Sequence, residues 1–94
     1  MEDIFEKSSK VFKALADSNR LMIINLLSSG EKCVCEILKS FDISQSTLSH
    51  HMKILSECGL VSCRREGTWS YYSLNLNEAN KVVISFMELI TNGK

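Results

Sequence analysis

Apolar residues recur at helical spacing in several separate stretches of the chain. Ile4, Phe5, Val11, Phe12 and Leu15 mark a first amphipathic helix with a wide apolar stripe. Asp17 or Ser18 can cap a second helix, in which Leu21 to Leu27 is apolar nearly all round apart from Asn25; this predicts the central buried element, ended by Ser28-Ser29-Gly30. A third helix is predicted from Cys33, whose spacing to Glu36 matches the register of a capping box, with Ile37, Leu38 and Phe41 facing inward. Asp42-Ile43-Ser44 then forms a tight turn, Ser44 is a good N-cap, and Leu48, Met52 and Leu55 form the buried stripe of a fourth helix that stops at Cys58-Gly59.

Beyond that point the pattern becomes strand-like. Leu60 to Arg65 and Trp69 to Leu74 flank Glu66-Gly67-Thr68, where Gly67 can take the positive φ of a tight hairpin. Asn75 or Asn77 can cap a last helix carrying Val82, Val83, Phe86, Met87 and Ile90 at a period of 3.6. The expected fold is mainly α with a β-hairpin wing, in the order α-α-α-α-β-β-α. First and last helices with this much apolar surface predict a dimer joined through them.

Ninety-four residues fit one domain, 1–94, and no internal repeat, linker or low-complexity tract argues for a second. The apolar fraction of 45% is ordinary, proline is absent, and no apolar run approaches the ~20 residues of a membrane span. An acidic start, Met1-Glu2-Asp3-Ile4-Phe5-Glu6, is unlike a secretory signal, so a cytoplasmic location and reduced thiols are expected. Four cysteines in that setting point to metal binding, redox sensing or packing rather than to disulfides. The formal net charge is zero, so charge alone does not announce a nucleic-acid partner.

The fourth helix does announce one. A helix entering the major groove needs short polar side chains near its N-terminus, so that it can approach base edges closely. Gln45, Ser46, Thr47, Ser49 and His50 meet that demand, Lys53 can reach a phosphate one turn on, and Arg64 and Arg65 of the hairpin can meet backbone or minor groove. His51, nearer the apolar stripe, is expected to be packed or hydrogen-bonded.

Leu15-Ala16-Asp17-Ser18-Asn19-Arg20-Leu21, Glu31 to Ile37, Ile43 to Met52, Gly59-Leu60-Val61 and Arg65-Glu66-Gly67 resemble the ArsR/SmtB family of winged helix-turn-helix repressors over nearly the whole chain. The resemblance implies a homodimer on double-stranded, partly palindromic operator DNA, needing no cofactor to bind and released by a toxic metal or metalloid. Two Gln45-to-Lys53 helices would read half-sites about one helical turn, or a multiple of it, apart.

Cys33 and Cys35 are the candidate sensor. Residues two apart on a regular helix point to opposite sides, but an N-cap Cys33 has non-helical dihedrals and can fold over the first turn, where Cys35 also sits. Unpaired N–H groups and the helix dipole there are expected to lower the thiol pKa values. Soft thiolates select soft ions, which favours arsenite or antimonite, cadmium, lead or copper(I). The Cys-Val-Cys run resembles that of arsenite-responsive and cadmium/lead-responsive family members. Where several arsenite sensors carry a third cysteine this chain has Leu38, leaving Cys58 and Cys63 as candidate third ligands or as core residues. The zinc or nickel site of some relatives needs Asp and His on the last helix, and Asn77 to Lys94 has neither. The alternatives are a redox or persulfide switch on the same fold, a thiol oxidoreductase, and a winged module that binds protein. No catalytic constellation beyond the thiols supports an enzyme.

Overall fold

Side chains that accept hydrogen bonds from the backbone just after them set where each helix begins. The computed structural model describes residues 3–92. These form α1 (Ile4–Leu15), α2 (Ser18–Leu27), β1 (Lys32–Cys33), α3 (Val34–Ser40), α4 (Gln45–Glu57), β2 (Val61–Glu66), β3 (Trp69–Leu74) and α5 (Leu76–Thr91). Asp3 caps α1 by accepting from the Glu6 N–H at 2.8 Å, and Asp17, rather than Ser18, caps α2 through the Arg20 N–H at 3.1 Å. That backbone bond holds the Asp17 carboxyl below the ordinary carboxylate range. Ser44 caps α4 through the Thr47 N–H, and Asn75, rather than Asn77, caps α5 through the Glu78 N–H.

The expected order of elements is present with one addition. Lys32 and Cys33 form a two-residue strand antiparallel to β3, with Lys32 opposite Tyr72 and Cys33 opposite Tyr71, so the wing is a three-stranded sheet ordered β1-β3-β2. Two residues are too few to carry a periodic signal, and β1 exists because β3 offers it a free edge. At the hairpin tip Gly67 sits at φ 63°, between the paired Glu66 and Trp69.

The core is built from Ile23, Leu27, Ile37, Leu48, Met52, Leu55, Leu60 and Val61, so α2, α3, α4 and the start of β2 meet in one cluster. Leu48, Met52 and Leu55 are the stripe expected of α4. The helix α2 departs from expectation: Ile23 and Leu27 are buried, but Leu21 and Met22 are each 50% exposed. Packing against α1, α4 and β3 covers one side of α2 and leaves the other open.

The helix α5 has no fully buried residue. Leu76, Val83, Ile84, Phe86, Met87 and Ile90 lie exposed on it, as do Ile4 and Phe5 on α1. The two helices meet through an edge-to-face contact of Phe12 and Phe86, with ring centroids 5.7 Å apart. Among the described residues no helix is long and apolar enough to cross a membrane.

Candidate DNA-reading surface and thiol pair

The α4 helix divides cleanly by face. Leu48, His51, Met52 and Leu55 are buried, whereas Gln45, Ser46, Thr47, Ser49, His50 and Lys53 are all exposed. Ser44 holds the start of this face in place: its hydroxyl donates to Thr47 Oγ1 at 2.9 Å while accepting from the Thr47 N–H, and it lies 3.1 Å from Ser46 Oγ.

His51 is packed and hydrogen-bonded, as its place near the stripe implied. Its Nδ1 lies 3.1 Å from Arg20 Nη1, and a guanidinium only donates, so Nδ1 accepts and the ring proton sits on Nε2. Arg20 also donates to the carbonyls of Ala14 and Lys13, at 2.6 and 3.4 Å, and so ties the end of α1 to α4. Sequence reasoning missed this role. The available signal was the spacing of Arg20 from Asp17, which places both at one helix start.

On the wing the two arginines differ. The Arg64 guanidinium reaches Glu31 Oε1 at 2.8 Å and Glu66 Oε2 at 2.6 Å, and lies 4.6 Å over the Tyr71 ring. Those carboxylates hold Arg64 more firmly protonated than usual and draw the Glu31 carboxyl below its ordinary range. Arg64 thus clamps β2 to the turn before β1, and it can meet DNA only by exchanging partners. Arg65 is exposed and, among the described residues, engaged in no ion pair.

The thiols of Cys33 and Cys35 converge. Cys33 is the N-cap of α3, with extended dihedrals of φ −68° and ψ 148°; its Sγ accepts from the Cys35 N–H at 3.4 Å, and Glu36 Oε1 accepts from the Cys33 N–H at 3.0 Å. The capping register read from the sequence is present, with sulfur doing what a hydroxyl usually does. Cys35 Sγ donates to Cys33 Sγ at 2.8 Å, well beyond the roughly 2.03–2.05 Å of a disulfide.

One electrostatic expectation is overturned. The Cys35 thiol is raised above its ordinary pKa, first by its hydrogen bond to Cys33 and then by desolvation. The backbone N–H of Glu36 pulls the other way but is outweighed, because ionising Cys35 breaks the S–H···S bond.

Neither remaining cysteine joins the pair. Cys58, the C-cap of α4, is half-buried with its thiol 3.9 Å from the Lys10 carbonyl of α1, and burial pushes its pKa up. Cys63 is exposed on β2 opposite Tyr72, and since β3 lies between β1 and β2 it is two strand spacings from Cys33, roughly 9.5 Å. Among the described residues no group of three His, Cys, Asp or Glu side chains is arranged to hold a metal ion.

What Cys35 does adjoin is the exposed polar face of α4. A cleft of about 440 Å³ opens between α3, α4 and the wing, and Cys35 lines it together with Gln45, Ser49, Arg65 and Trp69. The packing of α3, α4 and the wing brings these residues together, since they are spread over 35 positions of the chain.

Comparison with known proteins bears on the same region. The family model described as "Bacterial regulatory protein, arsR family" matches residues 17–62, from the cap of α2 into β2. An arsenical resistance operon repressor of Bacillus subtilis is 44% identical over 79 residues, covering 83% of this chain and 75% of the relative. An uncharacterized HTH-type transcriptional regulator of Methanocaldococcus jannaschii is 40% identical over 80 residues, covering 84% of this chain and 90% of the relative. Among solved structures, the homodimeric winged helix-turn-helix DNA-binding domain of a possible ArsR-family regulator from Mycobacterium bovis superposes with a TM-score of 0.76. It is 31% identical, with 96% of this chain and 87% of that one covered.

Proposed function

The chain belongs to the ArsR family of winged helix-turn-helix transcriptional regulators, which bind DNA and are not enzymes, and on that premise we propose that it is a repressor whose grip on its operator is broken when a thiophilic metalloid bonds to Cys33 and Cys35. Arsenite or antimonite is the proposed inducer, with cadmium or lead the nearest alternatives. The observation that carries this reading is the 2.8 Å approach of the two sulfurs at the start of α3, the helix that precedes the reading helix and shares its core cluster. In this reading residues 1–94 act as one domain, and two copies pair through the exposed apolar faces of α1 and α5.

The chemistry follows from the cap. Each thiol gives up its proton as its sulfur bonds to the inducer, so the S–H···S bond between Cys35 and Cys33 is lost and the two sulfurs are repositioned around the inducer at the first turn of α3. The disturbance reaches the Cys35 side of the cleft, where Gln45 and Arg65 stand. A coupling of about 1–3 kcal/mol between the two sites would weaken operator binding roughly 5- to 150-fold.

The test is fluorescence anisotropy on DNA from upstream of the protein's own gene, with arsenite, antimonite, cadmium and lead titrated in turn. Release by one of these ions is expected for the parent chain, whereas Cys33→Ser and Cys35→Ser should bind the DNA and fail to let go. Release that persists in both variants would sink the assignment. A redox or persulfide switch is the second reading, favoured by the same short S···S distance; it predicts release by peroxide or polysulfide with a mass change at the pair.

A further inference from the structure

The apolar stripe of α1 is wide, and part of it borders empty space instead of the core. A cavity of about 210 Å³ lies between α1 and α5 and reaches the end of α4, with Ile4, Val11, Phe12 and Val82 as apolar walls. Cys58, the C-cap of α4, is on its lining, and Glu78 Cγ stands 3.6 Å from where a Cβ on Gly59 would lie, so α5 meets the last turn of α4 here. At 3.6 residues per turn, Glu78, Val82 and Ser85 share one side of α5 and the exposed Leu76, Val83, Met87 and Ile90 share the other. The α5 face proposed to pair two copies is therefore turned away from the cavity.

The polar groups on the lining carry one surplus positive charge. Lys81 is paired with Glu78 at 3.2 Å, whereas Lys7 is exposed and, among the described residues, engaged in no ion pair. Ser8 and Ser85 are half-buried, and among the described residues neither hydroxyl has a hydrogen-bond partner. An apolar cavity of roughly 150 Å³ accepts one benzene ring, so this one has room for a ring on a short arm. We infer that it is a binding site for a small arylalkyl monocarboxylate, the ring against Phe12 and Val82 and the carboxylate on the Lys7 ammonium, accepting from the Ser8 and Ser85 hydroxyls. A neutral ligand of the same shape leaves the Lys7 charge unanswered, and a cationic one is repelled by it. The site lies beyond the proposed function and does not depend on Cys33 or Cys35.

The experiment adds 3-phenylpropionate, 3-phenylpropanamide or 3-phenylpropylamine to the reduced full chain, read by titration calorimetry and by iodoacetamide alkylation with peptide mass mapping. The acid is expected to bind once per chain with a Kd below about 1 mM, at least roughly fivefold tighter than the amide or the amine. It should slow alkylation of Cys58 and leave that of Cys63, exposed on the outer strand, unchanged. Lys7→Gln alters only an exposed side chain and should close most of the gap between acid and amide. Ser85→Leu should fill the cavity and weaken both ligands. Equal binding of acid and amide overturns the inference, as does no measurable binding of the acid or a saturating dose that leaves Cys58 alkylation unaltered. Cys33→Ser and Cys35→Ser should bind the acid as the parent chain does, so failure of this site and failure of the inducer assignment are read separately.

Discussion

Cys35 is where the chemistry of this protein can be measured one residue at a time. Its proton is shared with Cys33 Sγ at 2.8 Å, so its ionisation is moved to higher pH than that of a free cysteine. The folded state therefore favours the neutral thiol. This contribution to stability is complete below the ordinary thiol pKa and is lost as pH rises through the raised value. Alkylation of Cys35 by iodoacetamide, followed by peptide mass mapping, should reach half-maximal rate at a higher pH in the folded chain than in urea. Cys33→Ala removes the first cause of the shift and should bring the folded-state midpoint down towards the unfolded one. A folded midpoint at or below the urea value in the parent chain would contradict the S–H···S bond.

At the scale of elements, α4 and the wing, the proposed reading surface, are anchored differently. The α4 helix is held from beneath by Leu48, Met52 and Leu55 and from the side by Arg20 on His51 Nδ1, with its polar face outward. The wing is held at its base by Arg64, which spends its charge on Glu31 and Glu66, while Arg65 keeps its own. Counterion release makes this difference observable. The Arg65→Ala and Lys53→Ala variants should each lower the slope of log K against log salt by about 1, as expected for one lost phosphate contact. Arg64→Ala should leave the slope nearly unchanged and instead lower the melting temperature of the wing's attachment. Equal slope losses for Arg64 and Arg65 would show that Arg64 changes partners on DNA.

For the molecule as a whole, the exposed faces of α1 and α5 carry the largest consequence. Phe86, 48% exposed, and Ile90, 61% exposed, belong to an apolar surface that a lone chain leaves in water. A symmetric pair would bury it and set the spacing of two reading helices. Phe86→Glu is expected to shift sedimentation velocity from dimer to monomer and to weaken operator binding at least about a hundredfold, because a single reading helix loses the second half-site. A variant that remains dimeric with unchanged affinity would place the interface elsewhere.

The sequence by itself determined what depends on near neighbours. The caps at Asp17, Cys33 and Ser44 act on N–H groups two or three residues away, and the stripe Leu48, Met52 and Leu55 repeats with the helix, so both the exposed polar face of α4 and the convergence of the two thiols were legible. Tertiary structure alone decided whatever depends on a partner distant along the chain. The pairing of β1 with β3, the exposure of Leu21 and Met22, the engagement of Arg64 by Glu31 and the bond of Arg20 to His51 all join residues that no local period connects. The Cys35 pKa is a near-neighbour matter that the dipole argument nevertheless placed on the wrong side, because it omitted the proton shared between the two adjacent sulfurs. The cleft that brings Trp69 beside Cys35 is the furthest-reaching case: it exists only because α3, α4 and the wing pack around one core, and packing is set by shape and burial summed over the whole chain.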